Sequence, residues 1–208
     1  MTRFADYYQI LSHLSRTLNG AFTTSERFLQ EIRWGPEKIL PLAAKLRNAT
    51  LFRECIIWVV SEWPENKVYA IEDPKVKKIA QNAFNSIAAK AAFTQHELLD
   101  KVDQASIGES ETVKAIKENS RKWLAADPYL KMVPLPALLT DIRQRRQLEQ
   151  YEGYEDYEEP LRLGDLQKDN CVLVRNCCHP GEGELQDRFL CAEVDDNDLP
   201  WDAEETYF

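Results

Sequence analysis

Apolar residues recur at every third or fourth position through most of residues 1–149, a spacing typical of helices with one buried face. The first such segment covers residues 4–18, with Asn19-Gly20 as its stop signal. The second is predicted to begin near Thr24-Ser25 and to end at Gly35-Pro36. Because Pro36 suits the first turn of a helix, a third helix is predicted to follow at once.

A fourth helix is predicted with Thr50 as its N-cap and with Trp63-Pro64 marking the end of the segment. Its apolar residues cover nearly every side of the helix rather than one face. They are Leu51, Phe52, Cys55, Ile56, Ile57, Trp58, Val59 and Val60. A helix that is apolar all round is normally buried, so we place this one at the centre of the core.

The longest periodic segment begins at Asp73-Pro74, which combines a capping residue with a first-turn proline. Its alanine-rich face would permit close packing against other helices. The pattern allows two interpretations at its far end. The helix either continues through Leu98, Leu99 and Val102 or breaks near Thr94.

Two further helices are predicted, one around residues 113–124 and a last one from about Ala137 to Glu149. Pro134-Leu-Pro136 is predicted to be a stiff connection before the last helix. That helix carries Arg143, Arg145 and Arg146, which form either a solvated face or a dock for an acidic segment, including the chain's own tail.

The pattern changes after residue 150, where an acidic run rich in tyrosine indicates a solvated linker. Beyond it, Cys171–Val174 and Phe189–Val194 have strand-like composition, and His179–Gly183 has the composition of a turn. We therefore predict a small β-hairpin, which would dock on the helices or stay partly unfolded. Trp201 near the end is either a linear anchor for a partner or part of a tail that folds back.

Charge divides the chain in the same place. The formal net charge is −9, but residues 151–208 hold 4 basic and 17 acidic side chains. A phosphate backbone would repel such a tail, so we predict no nucleic-acid partner. No run of about 18 apolar residues occurs, and the N-terminus lacks an apolar signal core, so we predict no membrane contact and an intracellular location, cytoplasmic or nuclear.

Several short strings resemble the region that follows the BTB domain in fungal BTB/POZ-domain proteins. The strings are Phe4-Ala-Asp-Tyr-Tyr8, Lys45-Leu-Arg-Asn48, Leu51-Phe-Arg-Glu-Cys55, Glu72-Asp-Pro-Lys75 and Ser86-Ile-Ala-Ala-Lys90. The closing run from Phe189 to Trp201 resembles a recurring tail of the same fungal group. The resemblance implies a helical interaction region without a catalytic site. Met1 falls almost where the BTB domain of these proteins would end. The dimer-forming and cullin-binding surfaces of that domain are therefore not expected in this chain.

The sharpest candidate chemistry lies in the C-terminal region, where thiols and an imidazole have the ligand types that zinc prefers. The residues are Cys171, Cys177, Cys178, His179 and Cys191. No Cys-x-x-Cys pair occurs, and adjacent cysteines rarely reach one ion, so buried thiols are the favoured interpretation. Activation of Cys177 or Cys178 by His179 would need a geometry that sequence neighbours seldom provide. We assign no catalytic, cofactor or metal residue.

The sequence as a whole predicts a mainly α protein, an irregular helical bundle with an acidic extension that holds a small hairpin. The predicted parts are a helical domain over 1–149, an acidic linker over 150–160 and a weakly structured extension over 161–208. The predicted function is that of a non-enzymatic adaptor or scaffold that binds other proteins. The alternative is a metal-stabilised binding module built on the cysteine and histidine residues.

Overall fold

A computed structural model describes Ser15, Thr17, Gly20 and residues 24–104, 114–119, 134–151, 165–174 and 179–202. Helices dominate these residues, and no β-strand occurs among them. The predicted mainly α fold is therefore confirmed. None of the helices within these ranges has the length and apolarity needed to cross a bilayer.

The first two complete helices begin at the predicted signals, and the first of them also ends at its predicted signal. Helix α1 is Glu26–Trp34, and the Ser25 hydroxyl caps it by accepting a hydrogen bond from the backbone N–H of Phe28. Gly35 ends it. Helix α2, Pro36–Lys45, starts with the proline, whose missing N–H would have had no helical partner in any case.

The stop predicted at Asn19-Gly20 is wrong. Gly20 and Thr24 are both helical, and the Thr24 hydroxyl donates to the Gly20 carbonyl at 3.1 Å. Gly20 does not take the positive φ with which glycine commonly ends a helix. Residues 4–14 of the first predicted helix lie outside the described residues.

Helix α3, Ala49–Val60, is the buried helix that its composition predicted, since every residue except Thr50 and Arg53 is buried. Its N-cap is Asn48 rather than the predicted Thr50. Asn48 has extended backbone, and its side-chain oxygen accepts the Leu51 N–H at 2.9 Å. Thr50 lies two residues later, inside the first turn, where its hydroxyl cannot serve as the cap.

Helix α4, Pro74–Gln104, is a single long helix. The Asp73 carboxylate caps it by accepting the N–H groups of Lys75 and Val76 at 2.8 and 3.1 Å, as predicted. The helix passes through Thr94 without a break, and the Thr94 hydroxyl donates to the Lys90 carbonyl one turn earlier. The continuous alternative is the one observed.

Residues 114–119 are helical, and helix α5 covers Leu135–Tyr151. Helix α5 begins two residues before the predicted Ala137. Pro136 therefore lies in its first turn, where a missing N–H removes no helical hydrogen bond. Leu135 and Pro136, which were predicted to belong to a stiff connection, are therefore the first two residues of helix α5.

The chain divides into two compact units. One contains Met1–Asn85, Asn170–Cys177 and Ala192–Phe208, and the other contains Ser86–Asp169 and Cys178–Cys191. Each unit draws on both sides of the predicted linker, so the boundaries predicted at residues 149 and 161 differ from this division. The physical reason is burial, since the C-terminal region supplies many core side chains. They are Leu173, Val174, Leu185, Phe189, Leu190, Cys191, Ala192, Val194 and Leu199.

The predicted β-hairpin is wrong. Residues 172–174 form bends, and residues 189–195 have irregular backbone with no strand assignment. The backbone N–H groups of 172–174 bond to a side chain instead of to a neighbouring strand. The turn is confirmed, because Pro180-Gly181 forms one and the Gly181 N–H donates to the Leu185 carbonyl at 2.9 Å.

Candidate functional site: a groove beside the central helix

A buried carboxylate holds the C-terminal segment against helix α3. Glu54 is 1% exposed, and its Oε2 accepts the backbone N–H groups of Val172 and Leu173 at 2.7 and 3.0 Å. Its Oε1 accepts the N–H of Val174 at 3.0 Å and the indole N–H of Trp58 at 3.3 Å. We call this arrangement the Glu54 clamp. Four donors satisfy a charge that would otherwise be very costly to bury.

The local backbone explains why the Glu54 clamp forms. Three successive N–H groups of a bent segment point to one side and make a concave site for an anion. Trp58 follows Glu54 by one helical turn, so its indole lies beside the carboxylate. The segment 172–174 is thereby fixed on the surface of α3 by hydrogen bonds to a charged group.

A second set of bonds attaches residues 192–196 to the same helix. The Arg53 Nε donates to the Val194 carbonyl at 2.9 Å, and the guanidinium forms an ion pair with Asp196. The Asn170 side chain donates to the Ala192 carbonyl at 3.2 Å, which joins the two C-terminal segments to each other. Arg53 and Glu54, neighbours on α3, thus bind two stretches of chain more than a hundred residues away.

The acidic tail folds back on the helix. The Trp201 ring meets Phe52 edge-to-face, with centroids 5.3 Å apart and planes at 79°. Phe52 is fully buried, and Leu199 is buried beside this part of the tail. Of the two interpretations of Trp201, the structure shows the intramolecular one.

These attachments leave a groove of about 430 Å³ between α3 and the C-terminal segments. Its lining residues are Thr50, Arg53, Glu54, Ile57, Asn170, Val172, Ala192, Glu193, Val194 and Asp195. Buried Ile57, Ala192 and Val194 make the floor apolar. Val172 is 62% exposed although the clamp fixes its backbone, so an apolar side chain is held at the rim in contact with solvent.

The rim of the groove is acidic. Glu193 and Asp195 are exposed, and in the part of the chain that the structure describes neither carboxylate has a hydrogen-bond or ion-pair partner. The single basic lining residue, Arg53, is already paired with Asp196. The groove therefore has an excess of negative charge around an apolar floor.

The cysteines do not assemble a reactive site among the described residues. Cys55 is fully buried in α3, and burial, followed by the nearby Glu54 and Glu37, raises the pKa of its thiol. A thiol held protonated in this way is a poor nucleophile. Cys171 is half-buried, Cys191 is buried and His179 is exposed, whereas Cys177 and Cys178 lie outside the described residues.

Within the ranges described, no three His, Cys, Asp or Glu side chains form a group that could hold a metal ion. The predicted zinc alternative depends on Cys177 and Cys178, so it stays a prediction. On α5, Arg145 pairs with Asp141 of its own helix at 3.0 Å, and Arg143 is exposed. The Arg146 side chain lies outside the described residues.

No protein-family model, curated protein or solved structure matches this chain. The resemblance to the region after the BTB domain of fungal proteins therefore stays a prediction. The groove was not predicted from the sequence. One signal was available, because Glu54 is the one acidic residue of a mostly apolar helix and a buried charge requires partners.

Proposed function

We propose that the protein is a non-catalytic interaction module, an adaptor or scaffold, which binds another protein through the groove beside α3. The observation that carries the proposal is the exposed Val172 side chain, held at the rim of an apolar floor by the Glu54 clamp. Single exposed apolar residues are common on protein surfaces. An apolar residue on a fixed backbone next to a concave apolar floor is a better candidate for a binding anchor.

The size of the groove supports a small apolar element of a partner as the bound group. Its volume of about 430 Å³ lies within the range of roughly 300–1,000 Å³ that is usual for binding pockets. Because the walls are fixed by side-chain hydrogen bonds to the backbone, little ordering would be needed on binding. Preorganisation of this kind favours affinity without a large contact area.

The wider setting is part of the same proposal. The resemblance to the region after the BTB domain in fungal proteins favours an adaptor role, and the sequence pattern favours an intracellular location, cytoplasmic or nuclear. An adaptor of this kind needs a surface that recognises one partner while the rest of the chain keeps that surface in shape. The groove is the surface that we assign to this task.

Replacement of Val172 by arginine is expected to reduce capture of the main partners by about tenfold or more, because a charged side chain would take the place of the apolar anchor. The measurement is affinity capture with the full tagged chain from an extract of the source cells, quantified by mass spectrometry. Since Val172 is largely exposed, the variant should keep its circular dichroism and its urea midpoint.

The matched control is Tyr69→Arg, which places the same charge on an apolar position that is 79% exposed and does not line the groove. The Tyr69→Arg variant should capture the same partners as the wild-type chain, in similar amounts. An identical set of captured proteins from both variants, in wild-type amounts, would remove the groove from the proposal.

A further inference from the structure

We infer that the groove binds an extended peptide segment in which an aliphatic residue is flanked by lysine or arginine. This inference rests on the proposed function and adds the chemistry of the partner. Three features of the groove lead to it: the charge of its rim, the unused hydrogen-bond donors of its wall and the apolar floor.

The charge of the rim selects a basic partner. Glu193 and Asp195 are exposed carboxylates with no partner among the described residues, and Arg53 is neutralised by Asp196. An acidic peptide would meet like charge at both positions, whereas lysine or arginine would pair with them. The excess of acidic residues after residue 150 would also speed the approach of a basic segment.

The wall of the groove offers backbone donors to a peptide. The N–H groups of Glu193 and Val194 have no acceptor in the part of the chain that the structure describes. Asp195, the next residue, has extended backbone with φ −72° and ψ 161°. Because successive N–H groups of an extended chain point to opposite edges, an extended peptide laid along one edge would supply a carbonyl acceptor to one of these two N–H groups, as in partners that bind by adding a strand.

The apolar floor of the groove favours an aliphatic residue between the basic residues of the peptide. Ile57, Ala192 and Val194 are buried apolar side chains, and Val172 stands at the rim beside them. An aliphatic side chain placed there would cover Val172 and remove apolar surface from water. A peptide of charged residues alone would pair with the rim and leave the Val172 side chain in contact with water, so the aliphatic residue is part of the inference.

Random peptides of about twelve residues displayed on phage, selected on the immobilised full chain, test this inference. Selected peptides should be enriched in lysine or arginine next to leucine, isoleucine, valine or methionine. Synthetic copies, measured by fluorescence anisotropy, should bind the double variant Glu193→Lys/Asp195→Lys about tenfold or more weakly than the wild-type chain. Raising the salt from about 0.05 M to about 0.5 M should weaken wild-type binding as well.

The control is Glu72→Lys/Asp198→Lys, which makes the same change in net charge at two exposed positions that do not line the groove. Equal loss of binding in the two double variants would overturn the inference, and so would selected peptides without basic residues. If such peptides still lose binding on Val172→Arg, the proposed function stands and only the partner chemistry fails. Selection of no peptide also overturns the inference, and capture with Val172→Arg then decides the proposed function.

Discussion

Glu54→Ala is expected to lower the free energy of unfolding by about 3 kcal/mol or more, because each buried donor left without a partner costs roughly 1–3 kcal/mol. The change removes the acceptor of three backbone N–H groups and of the Trp58 indole at once. A water molecule in the space left by the side chain would accept only some of these hydrogen bonds and would not attach the C-terminal segment to α3. The variant should therefore also lose the groove.

A nearly isosteric variant separates lost hydrogen bonds from lost volume. Glu54→Gln keeps the size of the side chain but replaces one carboxylate oxygen with an NH₂ group, which would face N–H donors. We expect it to cost about 2 kcal/mol, since the donors on one side of the clamp lose their acceptor.

Urea unfolding, followed by the combined fluorescence of the five tryptophans, measures both effects. Glu65→Ala and Glu65→Gln are the controls, because Glu65 is exposed, and surface changes of this type stay within about 0.5 kcal/mol. If both Glu54 variants unfold at the same urea concentration as these controls, the clamp does not hold the segment.

Gly181→Ala is expected to cost about 3 kcal/mol, which combines a backbone penalty of roughly 1–2 kcal/mol with a steric one of about 1–3 kcal/mol. Gly181 has φ +86°, a conformation that residues with a Cβ rarely adopt. A Cβ there would also overlap the Pro136 carbonyl oxygen and the Thr140 hydroxyl, and it would lie 2.7 Å from the Pro136 carbonyl carbon. The Thr140 hydroxyl donates to the Pro180 carbonyl at 3.0 Å, so it is not free to move aside.

Gly20→Ala is a control for which the opposite change in stability is expected. Gly20 is helical, and a Cβ added to it meets no atom within 4 Å. Gly20→Ala should therefore stabilise the protein by about 0.5–1 kcal/mol, the usual difference between glycine and alanine inside a helix. Thermal unfolding by circular dichroism compares the two variants. Equal melting temperatures would show that the turn at Gly181 does not constrain its unit.

The helix boundaries that the sequence predicted depend on chemistry within one turn of the chain. Ser25, Gly35-Pro36 and Asp73-Pro74 each satisfy or omit backbone N–H groups of their own helix, so the residue types alone locate the ends. Residue type alone does not locate a helix start where two suitable capping residues lie close together. Asn48 and Thr50 are both good caps, and the backbone conformation of Asn48 decides between them.

The hairpin was mispredicted because short apolar runs between turn residues fit several structures equally well. Cys171–Val174 has the composition of a strand, but the acceptor for its N–H groups is Glu54, more than a hundred residues earlier in the chain. No local pattern encodes a pairing of this kind. The sequence did show one side of this pairing, because Glu54 is an acidic residue in a mostly apolar helix.

The groove could not have been predicted for the same reason. Its lining comes from three separated stretches of the chain, around residues 50–57, 170–172 and 192–195. Each stretch is unremarkable in sequence, and the acidic residues among them look like ordinary solvated tail residues. Only their attachment to α3 through Arg53 and Glu54 brings them together around one groove.

Photo-crosslinking from residue 172 is the most direct test that the groove binds a partner protein. A benzophenone amino acid is placed at position 172 or at position 69 of the full chain, both of which are exposed, and the chain is irradiated in the source-cell extract. A covalent adduct with a distinct protein that forms from position 172 and not from position 69 is the predicted result. Adducts of equal yield from both positions, or from position 69 alone, would contradict the account.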